Sequence, residues 1–400
     1  MRLIFTIIIF LQFTLSQEIA SITLNIKETQ SDEWWSKFNQ KGIDSSNFHL
    51  SYNFKIPEKK ISLHSNLYIE KNSFILGESI LSISLKEIFK LKVGRYYRDF
   101  SSYLNDNLSS GSLLISRNTY PLPKVGFLGK TKNKNSFINY GIAHGIFDKN
   151  DIYLEAPFLH EKFLYYNYKN KKNSFSIGLV HEAIWAGHVK GFGKQPANFE
   201  DFFRIFRASH GDENALETDQ INALGNHLGI WDFSFSHSFN EKIIKFYYQH
   251  LFEDESGFKF KNNYDGLWGI ELLNNKFNLL IEYLNTTDQS NSFGKGQGND
   301  SYYNHGVYLD GWSYKEFSLG SPFIDFNQNI PVEVLHFGFS TKKNNNFYKI
   351  LTSKRLNNSQ DVLFNLNYKK YIRKKTIGIS LSNSISNQII VGISYSYKFE

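Results

Sequence analysis

The chain has 400 residues, 17% of them aromatic (24 Tyr and 37 Phe among them) and only 7 proline, a composition that suits extended strands rather than disorder. It has no cysteine, which excludes a disulfide scaffold, a thiolate metal site and a thiol-linked lipid anchor. Lys and Arg number 45 against 38 Asp and Glu, a formal +7 that confers solubility and favours an anionic polymer only where the charges cluster.

The first residues, MRLIFTIIIFLQFTLSQE, place Arg2 ahead of an apolar run from Leu3 to Leu11, with Thr14 and Ser16 following. This has the form of a secretory signal peptide, residues 1–16, cut near Ser16 or Gln17; a membrane anchor would need about 18–20 apolar residues. Its removal takes away Arg2 and leaves 44 basic against 38 acidic side chains, or +6. Residues 17–46 are expected to form a short N-terminal periplasmic segment. Within it, SDEWWSKFNQKG (31–42) reads as one short helix opened by Ser31 or Asp32, with Glu33 in its first turn.

From residue 47 onward, segment after segment alternates. FHLSYNFKI sets Phe48, Leu50, Tyr52, Phe54 and Ile56 against His49, Ser51, Asn53 and Lys55, and QIIVGISYSYKF near the end sets Ile389, Val391, Ile393, Tyr395, Tyr397 and Phe399 against Gly392, Ser394, Ser396 and Lys398. Each is a strand with one greasy and one wet face. Eighteen are predicted, at about 47–56, 60–70, 74–86, 88–97, 112–118, 124–129, 136–146, 162–168, 174–182, 226–237, 242–252, 265–272, 277–285, 332–341, 345–354, 361–370, 374–382 and 388–399.

Alternation alone does not separate a soluble sandwich from a membrane barrel; connection lengths do. The connections EKNS, KTKNKN, KNKKN, SFNE, LNNK, KKNN and KYIRK follow even-numbered predicted strands and are short, whereas 147–161, 183–225, 253–264 and 286–331 follow odd-numbered ones. Outer-membrane barrels have this asymmetry of short periplasmic turns and long outer loops. One connection, 98–111, breaks the rule by being of medium length on the short side. Beyond the leader no apolar run is long enough for a membrane helix, so a spanning chain has to be a closed barrel. Phe399 lies at the end of the last strand, as the terminal aromatic of such barrels does, though Glu400 follows it. The expected fold is therefore all-β: a transmembrane antiparallel β-barrel of about 18 strands over 47–400, with long inward-folding extracellular loops at 183–225 and 286–331.

Loops of this length usually fold inward, bind something or are disordered, and their aromatic content argues against disorder. Trp185, His188, Lys190, Arg204 and Arg207 in the first, with Tyr302, Tyr303, His305, Trp312, Tyr314 and Lys315 in the second, are the side chains that suit a saccharide. Rings cover the C–H faces of sugars, and basic groups read hydroxyls and carboxylates. The competing reading is that the rings form the loops' own small core and the basic groups stay solvated. The acidic corner FEDESG holds Glu253, Asp254 and Glu255, but it lacks calcium-loop spacing and reads better as a solvated turn or a partner for arginines. Arg95 and Arg98 in GRYYRD read as structural partners of interior acids. There is no G-x-S-x-G elbow, Walker loop or H-E-x-x-H, and Ser209-His210 has no nucleophile–base spacing. FGKGQGND (293–300) follows no strand–helix context and reads as a flexible loop.

NHLGIWDFSFS (226–236), KIIKFYYQHLFEDESGFKFKNNYDGLWGIEL (242–272), YYNHGVYLDGWSYKEFSLGSPF (302–323) and, more loosely, WAGHVKGFGKQPANFEDFFRIF (185–206) resemble the Wzi capsule-assembly outer-membrane proteins, particularly their Bacteroidetes-type members. The resemblance covers the middle and later half of the mature chain. It implies an 18-stranded barrel whose outer loops occlude the lumen, and lectin-like attachment of capsular polysaccharide without catalysis. Better-known members are longer and carry a periplasmic helical plug; with roughly 30 residues ahead of the first predicted strand, a full helical bundle is not expected here, and the short helix at 31–42 is the candidate to plug or brace the periplasmic mouth. The partners expected are capsular polysaccharide or exopolysaccharide, outer-membrane lipid and, as a further candidate, the capsule export machinery; no nucleic acid, cofactor or metal is expected. A porin for small solutes is the rival reading, and a barrel hydrolase a third.

Overall fold

In a computed structural model the described residues are 19–27, 41–42, 49–57, 60–70, 74–86, 88–289, 300–357, 362–383 and 389–399. The signal peptide and, apart from a turn at Lys41 and Gly42, the helix expected at 31–42 lie outside them.

Eighteen long strands form one sheet. They are β1 (Ile19–Lys27), β2 (His49–Pro57), β3 (Ile61–Glu70), β4 (Phe74–Leu85), β5 (Phe89–Arg95), β6 (Pro123–Lys132), β7 (Ser136–Ile146), β8 (Phe158–Lys169) and β9 (Asn173–Trp185). There follow β10 (Asn226–Phe239), β11 (Lys242–Phe252), β12 (Gly266–Leu273), β13 (Phe277–Asn285), β14 (Glu333–Lys343), β15 (Asn346–Arg355), β16 (Val362–Ile372), β17 (Lys375–Asn383) and β18 (Ile389–Phe399). Every strand pairs antiparallel with its neighbours in sequence, and β1 pairs with β2 on one side and β18 on the other. The ring of pairings therefore closes and leaves no edge strand, the condition a sheet must meet to span lipid.

The number of strands agrees with expectation through two compensating differences. The sheet begins at Ile19 rather than at residue 47, so the segment expected to be periplasmic supplies a barrel strand; its Ala20, Ile22, Leu24 and Ile26 alternate as a strand should. Conversely, 112–118 is no strand. Its Leu113, Leu114 and Ile115 are consecutive and all buried, which a strand with two unlike faces cannot achieve.

These two changes also remove the exception in the connection lengths. The connections 58–60, 86–88, 133–135, 170–172, 240–241, 274–276, 344–345 and 373–374 all follow even strands and have two or three residues. Every longer connection follows an odd strand: 28–48, 96–122, 147–157, 186–225, 253–265, 286–332, 356–361 and 384–388. The medium-length 98–111 is part of 96–122 and belongs on the long-loop side, as does the EKNS turn, expected on the opposite one.

Outward-facing strand positions are apolar and exposed, among them Val93, Val125, Phe127, Leu164, Tyr166, Phe235, Trp268, Ile281, Leu335, Ile350, Ile379 and Ile393. Inward positions are polar and buried: Lys92, Lys124, Glu161, Asp232, Gln249, Glu271, Glu282 and His336. This inversion of a soluble protein's pattern is the one a barrel in lipid requires. Two lumen aromatics lie flat over glycines of the next strand, Tyr165 on Gly178 and Tyr247 on Gly269, where an added Cβ would come within 2.1 and 2.0 Å of the ring. The main apolar core lies inside the barrel, because residues 96–122 fill the lumen.

Candidate functional site: lumen plug and outer cap

Residues 96–122 leave β5, cross the lumen and return to β6. Their apolar side chains Tyr97, Phe100, Leu104, Leu108, Leu113 and Leu114 are buried, and their polar groups are matched to the wall. Ser101 Oγ and Tyr103 OH donate to Asp232 of β10, as does Tyr165 OH at 2.5 Å. Asn105 Nδ2 donates to Glu271 of β12 at 2.5 Å. Glu282 of β13 accepts from Ser109 Oγ at 2.5 Å, Ser110 N at 2.7 Å and Ser110 Oγ at 2.6 Å, and from Tyr247 OH. Leu113 N donates to Gln249 at 3.0 Å, and His336 Nε2 donates to Leu108 O at 2.7 Å. A buried carboxylate is costly unless donors saturate it, so wall and plug each need the other.

The segment 300–332 lies over this plug. Tyr303 OH donates to Leu113 O at 2.6 Å and accepts from Ser321 N at 2.7 Å; Trp312 Nε1 donates to Leu114 O at 2.8 Å. Ser116 N donates to Leu319 O at 2.7 Å, Asn118 Nδ2 to Gly320 O at 2.8 Å and Thr119 Oγ1 to Tyr314 O at 2.6 Å. Two carboxylates hold the base of this cap. Glu253 accepts from Ser301 N at 3.0 Å and Tyr302 N at 2.7 Å, and burial, reinforced by the nearby Asp300, pushes it up to about 8. Asp265 accepts from Asp288 N and Gln289 N, both at 2.8 Å, and from Tyr302 OH; burial pushes it up to about 6. His305 Nδ1 accepts from Val307 N at 3.1 Å and Tyr308 N at 3.2 Å, and burial lowers the imidazole to about 4.

The connection 186–225 divides. Its start joins the cap, with Val189 buried in the main core and Ala186 O accepting from Tyr308 OH at 3.2 Å. The rest does not fold inward as expected: it carries helices α1 (Phe199–Arg207) and α2 (Glu217–Ile221) and lies against the outward-facing surface of β7–β10. A capping box starts α1, with Asp201 N on Asn198 Oδ1 at 2.8 Å and Asn198 N on Asp201 Oδ2 at 2.9 Å. Ala183, Trp185, Ile205, Ala215 and Leu224 form a second small core there, joined by Phe158 and Phe202. Beneath lie four histidines of four adjacent strands. His160 Nδ1 is 3.0 Å from His144 Nε2, and His181 Nε2 is 2.9 Å from His227 Nδ1, whose Nε2 is 2.7 Å from Leu224 O. A carbonyl only accepts, so with both rings neutral His227 donates from Nε2 and His181 Nε2 donates to His227 Nδ1.

The predicted saccharide contacts are thus dispersed, and most of their rings are already covered. Tyr302, Tyr303, Trp312 and Tyr314 are buried between plug and cap, and Trp185 belongs to the outer-wall core, so no sugar face reaches them in this arrangement. The competing reading, rings as the loops' own core, is the one realised for these five. Arg204 is occupied by Asp201 at 2.6 Å and Asp212 at 2.9 Å. Lys190 and Arg207 are exposed, His188 and His305 are half-buried, and the exposed Lys315 pairs with Asp148 at 3.0 Å. The acidic corner divides its work: Asp254 caps a short helix α3 (Glu255–Phe258), Glu255 pairs with Lys259 and Glu253 holds the cap. Among the described residues no group of three or more candidate ligands could hold a metal ion. Arg95 donates to Tyr314 OH at 3.3 Å and Arg98 to Asp106 at 2.8 Å, both structural partners. Residues 293–299 of the glycine-rich stretch lie outside the described residues.

The plug and its carboxylates escaped the sequence reading. The signal was present as single acids set in otherwise apolar strands: WDF around Asp232, GIELL around Glu271 and LLIEYL around Glu282.

The family model described as Capsule assembly protein Wzi matches residues 33–370. Comparison with curated proteins gives no match. Among solved structures, a triple mutant of the Rhodopseudomonas blastica porin is similar at 8% identity and a TM-score of 0.40, over 96% of this chain and 99% of that one. A five-substitution mutant of the porin from Rh. blastica gives 8% and 0.41 over the same shares. The barrel rests on its own strand pairings rather than on likeness at that level.

Proposed function

The chain belongs to the Wzi capsule assembly family, and from that membership we propose that it holds capsular polysaccharide or exopolysaccharide at the cell surface as a non-catalytic, lectin-like receptor in the outer membrane. The observation that best supports this reading is the filled lumen. A passive pore needs a continuous aqueous path, whereas here residues 96–122 occupy the barrel interior and 300–332 seal them in. What such a molecule offers outward is a solid cap.

On that cap Lys190, His188, His305 and Lys315 are the candidate contacts, the basic groups drawing in uronate or pyruvate carboxylates. The buried rings brace the cap from below. Export by the signal peptide and contact with the capsule export machinery belong to the same reading. The test is deletion of the gene with surface-bound and released polymer measured separately. Loss of surface polymer with a matching gain in the medium is expected; unchanged fractions would refute anchoring. Stable large conductance steps from purified wild-type protein would favour the porin instead.

A further inference from the structure

Helix α1 has two faces. Ile205 is fully buried, and Phe202 packs on His144 with ring centroids 5.1 Å apart. Phe199, Phe203 and Phe206 are 75%, 42% and 39% exposed, and Ile221 of α2 is 73% exposed. Three open phenylalanines on nine residues would be an association liability in water. The surface they join, however, is the barrel's outer wall. Lys162 of β8 fixes the level: its ammonium donates to Phe206 O and sits 4.3 Å from the centre of that ring. Two and four residues farther along β8, Leu164 and Tyr166 are again outward and open, so the apolar belt resumes about 7 Å below the end of α1. Arg207, exposed at the helix end, supplies a cation at the same rim.

We propose that α1 is an interfacial anchor: Phe199, Phe203 and Phe206 insert among the acyl chains of the outer leaflet, with Arg207 at the headgroup phosphates. Continuity with the membrane-facing belt selects lipid as the occupant. A helix with aromatics on one face and charge at its end takes this position at a membrane surface. The proposal needs the barrel to lie in a membrane but is independent of polymer binding. It makes 186–225 a strap that sets how deep the barrel sits and holds the polar cap clear of the bilayer.

The absence of cysteine makes the test clean, since Phe203→Cys creates a single labelling site. The full chain carrying an environment-sensitive fluorophore there is reconstituted into phosphatidylcholine–phosphatidylglycerol vesicles. Nitroxide lipids labelled near the headgroup are expected to quench it more strongly than aqueous iodide, while a Glu213→Cys control on the same strap shows the reverse. Quenching by iodide alone would overturn the proposal. So would protection from both quenchers with energy transfer between labels on different molecules, which would make a second copy the occupant. Phe199→Cys repeats the measurement should the first variant fail to fold.

Discussion

Glu282 is the group whose removal ought to loosen the plug most. It accepts three hydrogen bonds from the plug, at 2.5, 2.7 and 2.6 Å, from a fully buried position on β13. Bonds to a charged acceptor contribute about 1.5–3 kcal/mol each, so the gross loss in Glu282→Ala is roughly 5–9 kcal/mol. Water entering the vacated space recovers part of it, and three buried donors left without an acceptor, at about 1–3 kcal/mol each, keep the net cost at roughly 3–5 kcal/mol. That moves the plug's docking equilibrium about 10²- to 10⁴-fold toward release. In a planar bilayer, wild-type protein should stay closed and the variant should open intermittently, with Glu282→Gln between them because its carbonyl still accepts. Amide exchange across 105–114 should accelerate in parallel. The reasoning is refuted if the variant opens no more often than wild type while that exchange is unchanged.

Trp312→Ala removes a fully buried ring and the donor to Leu114 O, at a cost of about 3–5 kcal/mol. Amide exchange across 303–321 should rise, and polymer affinity should fall only as far as the cap loosens; lost affinity with an intact cap would mean the ring touches sugar after all. Glu253 is raised by burial and Asp300 to about 8, so the folded chain holds its proton more tightly than the unfolded one. Its contribution is full below about pH 4.5 and is lost as pH rises through about 8, so exchange of the Ser301 and Tyr302 amides, corrected for intrinsic rate, should quicken across that window and flatten in Glu253→Gln. His305 runs the other way: burial lowers it to about 4, and its support for the Val307 and Tyr308 amides is present above about 6.5 and lost as pH falls through about 4, seen as faster exchange of those amides in acid. Lys315→Ala breaks a surface ion pair with Asp148 and should change stability by less than about 1 kcal/mol. If Lys315 reads acidic sugars, polymer affinity should fall and become less salt-dependent; unchanged affinity removes it from the site.

Much of the fold is legible locally. Period-2 alternation marks seventeen of the eighteen strands, and connection lengths show that the long loops share one end, because both are properties of short contiguous stretches. The first strand, IASITLNIK, alternates as plainly as the others but is not among those predicted, whereas SLLISRN (112–118), expected to be a strand, belongs to the plug. The acids in the middle of β10, β12 and β13 stand in the sequence as anomalies, though nothing local says that they hold the plug.

By itself, then, the sequence determined a membrane barrel, the gathering of its long connections at one end and the existence of two elaborate loops there. Only tertiary structure decided what those loops cover. Aromatic rings look the same in sequence whether they stack on sugar, fill a lumen or enter lipid; Trp312, Tyr303 and Phe203 differ only in what lies against them. That partner is set by contacts far away in the chain, such as Trp312 with Leu114 or Phe206 with Lys162, and no local pattern encodes a contact of that range. The plug is the extreme case. Its burial is supplied by a wall and a cap built before and after it in the chain, so its sequence carries the apolar and donor groups but not the surface that makes them necessary.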